Sequence, residues 1–203
     1  MALKNRDNNK KYLKLKDGKF YINKEETPYE ELEGTITNIR YKDEEYEGAP
    51  IRKLAIVISD EDDNYELGLN VESSNYTSLV SFLKNVDINR PLTLHPKVDV
   101  QNKDGKEVTR RSILVSQDGK YAKSYFSVSS GNTTPEWKIV KVGNKKITDK
   151  TEFLEFYEDF VKENFIAKLN SGDLITKEDA PVTKKQPEVE DDTFDPDEKL
   201  PWE

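Results

Sequence analysis

The chain has 203 residues, of which 35% are charged and 34% hydrophobic, and its formal net charge is −8. This length suits one domain with appendages, and the absence of cysteine excludes disulfides, thiolate metal sites and a cysteine nucleophile. The sequence contains no run of the ~20 apolar residues that a membrane span needs. Its first residues lack the apolar core of a signal peptide, so we expect a cytoplasmic protein.

Charge is distributed unevenly along the chain. Residues 1–24 carry a net charge of +6, residues 25–106 carry −9, residues 107–150 carry +5, and residues 186–203 carry −7. Because so much of the acidity lies in one terminal segment, the sequence pI of about 5.0 is a poor guide to what the rest of the chain binds.

Residues 1–30 are predicted to form a basic N-terminal arm and a hairpin. Two short alternating stretches within residues 12–22 meet at Asp17 and Gly18, a dipeptide that favours a two-residue β-turn. Lys14, Lys16 and Lys19 would lie on the solvated side of this hairpin.

Residues 31–170 are predicted to form the folded domain. Periodicity predicts strands over 31–41, 51–59, 65–71, 91–101 and 107–116, and a helix over 75–85 that begins at a Ser73-Ser74 cap. The first strand breaks its alternation, which indicates a bulge, and Gly34 suits tight curvature. Three strands, a helix and two strands are the order of the OB-fold. We therefore predict a mainly β protein with α additions, an OB-like five-stranded Greek-key barrel with an extra N-terminal hairpin and a C-terminal helix.

The remainder of the domain is less regular. We predict further strands near 121–128 and 137–142, separated by a polar loop over 129–135. A second helix over 151–169, capped by Asp149 and Glu152, places Phe153, Tyr157, Phe160, Val161 and Phe165 on one stripe. Such a stripe is typical of a core. Residues 171–203 are predicted to be a disordered linker and acidic tail.

Catalysis has little support in the sequence. His95 is the only histidine and has no partner in the pattern, so a hydrolytic triad is not expected. The acidic runs at 43–45 and 60–63 lack the spacing of a calcium loop. Neither the P-loop nor the dinucleotide-binding pattern is present. We predict no enzymatic activity, no cofactor and no metal site.

Nucleic-acid binding is better supported. Proteins that bind single strands combine cations along the backbone with aromatic rings on which bases stack. In an OB-fold, the ligand lies over strands two and three, between the first and fourth inter-strand loops, here residues 42–50 and 101–106. The outward residues of the third strand, Asn64, Glu66, Gly68 and Asn70, are not cationic. The candidate DNA-binding residues are Arg40, Tyr41, Lys42, Tyr46, Arg52, Lys53, Tyr76, Lys97, Arg110, Arg111, Lys120, Lys123 and Tyr125.

The last eighteen residues, 186–203, hold eight acidic residues and one lysine. Like charges at this density repel, and prolines interrupt any helix, so we predict a solvated tail. A solubility tail is one interpretation, but it does not explain an aromatic residue near the very end. Phe194, Leu200, Pro201 and Trp202 are therefore predicted to dock on a partner protein.

A barrel followed by such a tail resembles the single-stranded DNA-binding proteins of bacteria and their phages. In the bacterial family the acidic tail ends in Ile-Pro-Phe, to which Leu200-Pro201-Trp202 is similar, and it recruits replication and repair proteins. This chain departs from that pattern at Glu203, because the bacterial aromatic residue is terminal. The added hairpin and second helix favour a phage-like protein acting in the host cytoplasm.

The resemblance implies a protein that binds and protects single-stranded DNA with little sequence preference in replication or recombination, and whose tail recruits partners. The tail would compete with DNA for the same groove. Two other classes stay open, namely an OB-like protein–protein adaptor and an acidic DNA mimic that inhibits a DNA-binding enzyme. Salt-dependent DNA affinity distinguishes the first function from both alternatives. A homo-oligomer is compatible with all three.

Overall fold

The computed structural model describes residues 10–60, 63–103, 106–143 and 145–171, and the described chain is mainly β. Its eleven described strands are β1 (Lys10–Lys16), β2 (Lys19–Ile22), β3 (Pro28–Tyr29), β4 (Leu32–Tyr46), β5 (Ala49–Ser59), β6 (Asn64–Asn70), β7 (Leu92–Lys103), β8 (Lys106–Gln117), β9 (Lys120–Tyr121), β10 (Lys138–Val142) and β11 (Lys145–Asp149). Helix α1 (Ser74–Leu83) separates β6 from β7. The C-terminal helix follows β11 as α2 (Thr151–Val161), a π-helical turn (Lys162–Ile166) and α3 (Ala167–Ser171).

Nine strands form one sheet in the order β3-β2-β1-β6-β5-β4-β7-β8-β9, while β10 and β11 pair only with each other. Strands β4, β5 and β6 are joined by hairpins, and after α1 the chain returns so that β7 lies beside β4. This is the spatial order of a Greek key. The sheet is larger than the five strands predicted, and its described strands do not close into a barrel.

The N-terminal hairpin and the strand bulge agree with the sequence predictions. Asp17 and Gly18 both have positive φ angles, and β1 and β2 pair antiparallel around them. The register of β4 against β5 shifts between Ile36 and Asn38, which is the bulge. A Cβ on Gly34 would lie only 2.6 Å from the Ser59 carbonyl oxygen, so the close approach of β4 to β5 there requires glycine.

The core forms where α1 covers the inner face of the sheet. The alternating residues Leu54, Ile56 and Ile58 of β5 are buried, and so is Leu79 of α1. Ser73 caps α1 as predicted, because its side-chain oxygen accepts a hydrogen bond from the Tyr76 backbone N–H. Ser78 of α1 also accepts a hydrogen bond from the Ile113 N–H, at 2.9 Å, which ties the helix to β8.

The C-terminal helix completes the core with aromatic side chains. Phe153, Tyr157, Val161 and Phe165 are buried, which confirms that the aromatic stripe is part of the core. Phe126, from the irregular segment after β9, lies 5.3 Å from the Tyr157 ring centroid. The Asp149 carboxylate accepts hydrogen bonds from the Thr151 N–H and hydroxyl at the helix start. No helix in the described part of the chain is long and apolar enough to cross a membrane.

Three segments differ from their predictions. Residues 42–50, predicted to be an acidic loop, instead extend β4 and β5 to a tight turn at Glu47 and Gly48. The strand predicted near 121–128 ends at Tyr121, and the following residues form bends and turns. Strand β11 was not predicted; it pairs with β10, whose position agrees with the strand predicted over 137–142.

Candidate nucleic-acid interface

The sheet presents one open face on β1, β6, β5 and β4, on the side away from α1; we call it the outer face. Because side chains alternate along a strand, the register places residues from all four strands in rows. One row contains Asn38, Val57, Glu66 and Tyr12, and the next contains Arg40, Ala55 and Gly68. In the second row the space over Gly68 is open, since a Cβ there would meet only the Lys53 side chain, at 3.8 Å.

Glu66 of β6 gathers three cations on the outer face. Its side chain is only 5% exposed, and its carboxylate forms ion pairs with Lys10 of β1 and with Arg40 and Lys42 of β4. The Arg40 Nη2 atom lies 2.8 Å from Glu66 Oε2. The cations keep 27–40% of their side-chain surface exposed. The cluster of three cations and one carboxylate therefore carries a net charge of +2 and remains open to an anion from solvent.

The ionisation of Glu66 reflects two opposing effects. Burial raises the pKa of its carboxyl group, whereas the hydrogen bonds and charges of Lys10 and Lys42 lower it more strongly. The net pKa lies below the ordinary value of glutamate, so Glu66 is ionised at neutral pH. Its charge holds the three cations in place without neutralising them.

Strand β1 extends this face, and sequence reasoning did not place it there. It runs parallel to β6, with Lys10 opposite Asn64 and Tyr12 opposite Glu66. The Tyr12 side chain is 51% exposed, and the alternation continues to Lys14 and Lys16, which are exposed. Tyr21 and Lys19 of β2 lie opposite Lys14 and Lys16 in the hairpin. The outer face is thus a basic surface with an accessible tyrosine on β1.

Two long hairpins extend from the sheet, formed by β4–β5 and β7–β8. Tyr46 lies near the tip of the first hairpin and is 62% exposed. Lys53 lies on the outer face and forms an ion pair with Glu44, at 2.6 Å. The second hairpin holds Val100 and Val108, which are also exposed. Of the predicted residues, Arg40, Lys42 and Lys53 therefore share the outer face.

Arg52 and the predicted Tyr41 lie on the opposite side of the same strands. The Arg52 guanidinium donates to Glu158 of the C-terminal helix, at 2.6 and 3.0 Å, and to Asp43, at 2.8 Å. It also lies 5.1 Å from the centroid of the half-buried Tyr41 ring. These contacts attach the C-terminal helix to the β4–β5 hairpin, which we call the helix latch.

Tyr76 was predicted to bind DNA, but it belongs to the core and exposes no ring surface on which a base could stack. Its side chain is fully buried, its hydroxyl group lies 2.9 Å from that of Tyr41, and its ring centroid lies 5.8 Å from that of Tyr157. Burial raises the pKa of both Tyr41 and Tyr76 above the ordinary tyrosine value. Both hydroxyl groups are therefore neutral hydrogen-bonding groups within the fold.

The other predicted residues lie in the β7–β8–β9 part of the sheet and beyond it. Strand β7 joins β4 only over three residues, Leu92 to Leu94, so this part diverges from the outer face. Exposed positions here are Lys97, Arg111, Lys120 and Lys123, whereas Arg110 is half-buried. Tyr125 is half-buried and packs on Phe126 and Phe160, with centroid distances of 5.0 and 5.7 Å.

His95 has partners that the sequence did not indicate. Its Nε2 atom lies 2.8 Å from Ser116 Oγ, its Nδ1 atom lies 3.5 Å from the Glu31 carboxylate, and its ring centroid is 5.1 Å from that of Tyr121. The contacts of His95 join β7 to β8, to β9 and to the residue that precedes β4.

The predicted docking residues of the tail, Phe194, Leu200, Pro201 and Trp202, lie outside the described residues. Within the described ranges, no group of three or more histidine, aspartate or glutamate side chains is arranged to hold a metal ion. Comparison of the chain with protein-family models, with curated proteins and with solved structures finds no match. Function must therefore be inferred from the surfaces themselves.

Proposed function

We propose that this protein binds single-stranded DNA on the outer face of β1, β6, β5 and β4. The observation that carries the proposal is the arrangement of Lys10, Arg40 and Lys42 around Glu66, directly beside the exposed ring of Tyr12. Cations that are held in position but not neutralised suit phosphate groups, and an exposed ring suits an unpaired base.

The order of elements supports an OB-like interpretation of the central domain. The segment from β4 to β8 contains three antiparallel strands, a helix, a returning strand and a final hairpin partner. In OB-folds the strand-two and strand-three surface binds oligonucleotides between two loops. The corresponding strands here are β5 and β6, which contribute Lys53 and Glu66 to the outer face. We infer that β1 enlarges this surface on the side of β6.

The expected mechanism uses two kinds of contact. Lysine and arginine side chains neutralise backbone phosphates, which releases counterions and makes the affinity depend on salt. Tyr12 stacks on a base, which contributes about 1–3 kcal/mol and does not require a particular base. A duplex has no unpaired base to offer, so it would use only the cations. This predicts preference for single strands with little sequence selectivity.

The acidic segment 186–203 would then recruit replication or recombination proteins by binding to them. Its net charge of −7 and its apolar residues Phe194, Leu200 and Trp202 suit a basic and apolar pocket on a partner. This part of the proposal is supported by the sequence resemblance alone.

The direct test is fluorescence anisotropy of a labelled oligo-dT of about 30 nucleotides, which exceeds the site size of one OB-fold. We expect saturable binding. The logarithm of the association constant should fall linearly with the logarithm of the salt concentration, with a slope of about −0.7 for each phosphate neutralised. An unlabelled duplex should compete poorly. No binding at low salt would overturn the proposal, and it would favour an adaptor or a DNA mimic instead.

A matched pair of variants locates the site. Lys14→Gln with Lys16→Gln should weaken binding about 20-fold at 0.1 M salt and reduce the salt slope by about 1.4, since two phosphate contacts are lost. Lys162→Gln with Lys168→Gln removes the same charge from the C-terminal helix and should leave affinity within about twofold. Tyr12→Leu should weaken binding by about 1–3 kcal/mol with little change in slope. Equal effects of the two charge pairs would show that the outer face is not the site.

A further inference from the structure

The β10–β11 ribbon (residues 137–150) exposes several large apolar side chains. Its strands pair only with each other and do not join the nine-stranded sheet. Ile139 is 70% exposed, Ile147 is 47% exposed and Val140 is 38% exposed. Val140 and Ile147 are cross-strand partners, so their side chains share one face of the ribbon. At the base, the half-exposed Trp137 packs on Phe153 with a centroid distance of 5.9 Å.

The ribbon is also strongly basic. Residues 137–150 hold five lysines and one aspartate, a net charge of +4. Lys138 forms an ion pair with Glu152, and the Lys150 ammonium group lies 4.7 Å from the centroid of the Trp137 ring. Lys141 and Lys146 are exposed and lie directly opposite each other. Like charges placed opposite each other destabilise a β-ribbon, so this pair is better accommodated when an anion lies against it.

One segment of the same chain has the complementary chemistry. Residues 186–203 carry a net charge of −7 and contain Phe194, Leu200 and Trp202. Acidic residues would meet the lysines of the ribbon, and the three apolar side chains would cover its exposed isoleucines and valine. The ribbon and the segment 186–203 therefore have opposite charge, and both carry apolar side chains that can pack together.

The chain between the ribbon and the segment 186–203 is long enough to let the two meet. The C-terminal helix begins two residues after β11 and runs for 21 residues, from Thr151 to Ser171, which corresponds to about 30 Å at 1.5 Å per residue. The 14 residues between Ser171 and residue 186 can span at most about 46–50 Å. This spacer can therefore return along the helix and reach the ribbon.

We propose that the C-terminal segment 186–203 docks on the β10–β11 ribbon of its own chain. The contact covers both faces of the ribbon, because Ile139 shares one face with Lys141 and Lys146 whereas Val140 and Ile147 lie on the other. The segment therefore crosses the edge of the ribbon and buries these three side chains together with its own apolar residues. It also places carboxylates beside Lys141 and Lys146. The ribbon is then a built-in receptor for the tail, separate from the outer face, and a partner protein must displace it to reach Leu200 and Trp202.

Zero-length carbodiimide crosslinking of the full chain, followed by peptide mass spectrometry, tests this docking directly. We expect amide bonds between Lys141 or Lys146 and acidic residues of 186–203, in a product that remains monomeric. The yield should fall as salt is raised, because the attraction is electrostatic. Crosslinks from the tail only to Lys14, Lys16 or Lys42 on the outer face would overturn the proposal, and so would a product formed only between chains.

Methyl NMR of the isoleucines provides a second measurement that does not depend on DNA. Replacing Phe194, Leu200 and Trp202 by alanine should shift the δ-methyl signals of Ile139 and Ile147, while the buried Ile56 and Ile113 stay unchanged. Lys141→Gln with Lys146→Gln should reproduce that shift, whereas Lys162→Gln with Lys168→Gln should not. Unchanged Ile139 and Ile147 signals in the tail variant would refute docking, whatever the outcome of the DNA titration.

Discussion

The two sides of the β4–β5 hairpin use the same residue types for different purposes. On the outer face, Arg40 and Lys42 surround Glu66 and keep part of their surface in solvent. On the other side, Arg52 is held between Asp43 and Glu158 and lies on the Tyr41 ring. The difference follows from strand alternation, since Arg40 and Lys42 share one parity, whereas Arg52 has the parity of the core residues. We infer that Arg40 and Lys42 are available to bind a ligand, whereas Arg52 holds the C-terminal helix.

The largest expected effect comes from removing the core ring of Tyr76, whose hydroxyl group bonds Tyr41 beneath the helix latch. Tyr76→Ala removes a fully buried ring that packs on Tyr157, and such large-to-small changes cost about 3–5 kcal/mol of unfolding free energy. Urea denaturation would measure this loss. Tyr76→Phe keeps the ring and removes only the hydrogen bond to Tyr41, so it should cost about 1 kcal/mol.

The Tyr76→Phe protein also tests the assignment of this residue. Because the side chain has no solvent-accessible surface, its affinity for oligo-dT should equal that of the unmodified protein. A loss of affinity in a protein that is still folded would show that Tyr76 contributes to the interface after all.

Replacing one arginine by methionine on each side of the hairpin should give smaller effects that differ in kind, a loss of stability on one side and a loss of DNA affinity on the other. Arg52→Met should lower the unfolding free energy by about 1–2 kcal/mol, because Glu158 loses its bidentate partner but remains near solvent and Lys162. Its affinity for DNA should stay within about twofold. Arg40→Met should cost under about 1 kcal/mol of stability but weaken oligo-dT binding about fivefold at 0.1 M salt. Comparable losses of DNA affinity in both variants would remove the distinction between the two sides.

Local patterns predicted much of this fold because they depend on near neighbours in sequence. The Asp17-Gly18 turn, the bulge in β4, the Ser73 cap and the aromatic stripe of the C-terminal helix are each determined within a few residues. The long hairpin was missed because acidic residues 43–45 suggested a loop. Cross-strand ion pairs, Asp43 with Arg52 and Glu44 with Lys53, compensate their charge.

The candidate site was harder to predict because it depends on distant pairing. Strand β1 joins β6 in parallel, more than fifty residues away, and no local pattern indicates that partner. Without β1, the outward residues of β6 are neutral or acidic, and Glu66 argues against binding. With β1 and β4 in place, the same Glu66 organises three cations. Likewise, the sequence could not show that Arg52 faces a helix 106 residues later in the chain.

The smallest expected effect is the most specific for the outer face. Glu66→Gln removes the carboxylate that gathers Lys10, Arg40 and Lys42, and leaves these cations in partial contact with solvent. The protein should lose about 1 kcal/mol of stability at neutral pH, as for a partly exposed ion pair. The added positive charge should tighten oligo-dT binding about fivefold at 0.1 M salt. Stability and affinity would then change in opposite directions.

The pH dependence identifies the cause of the stability change. The pKa of Glu66 is lower in the folded protein than its ordinary value of 4.5, so the ion pairs contribute fully above that value. The contribution disappears as pH falls through the lower folded pKa, where the carboxyl group is protonated and resembles an amide in charge. Urea denaturation from about pH 7 to about pH 3 should therefore show the Glu66→Gln variant and the unmodified protein converging at low pH. A difference that persists unchanged at low pH would mean that the Glu66→Gln substitution disturbs packing, and that the charge cluster is not what stabilises this face.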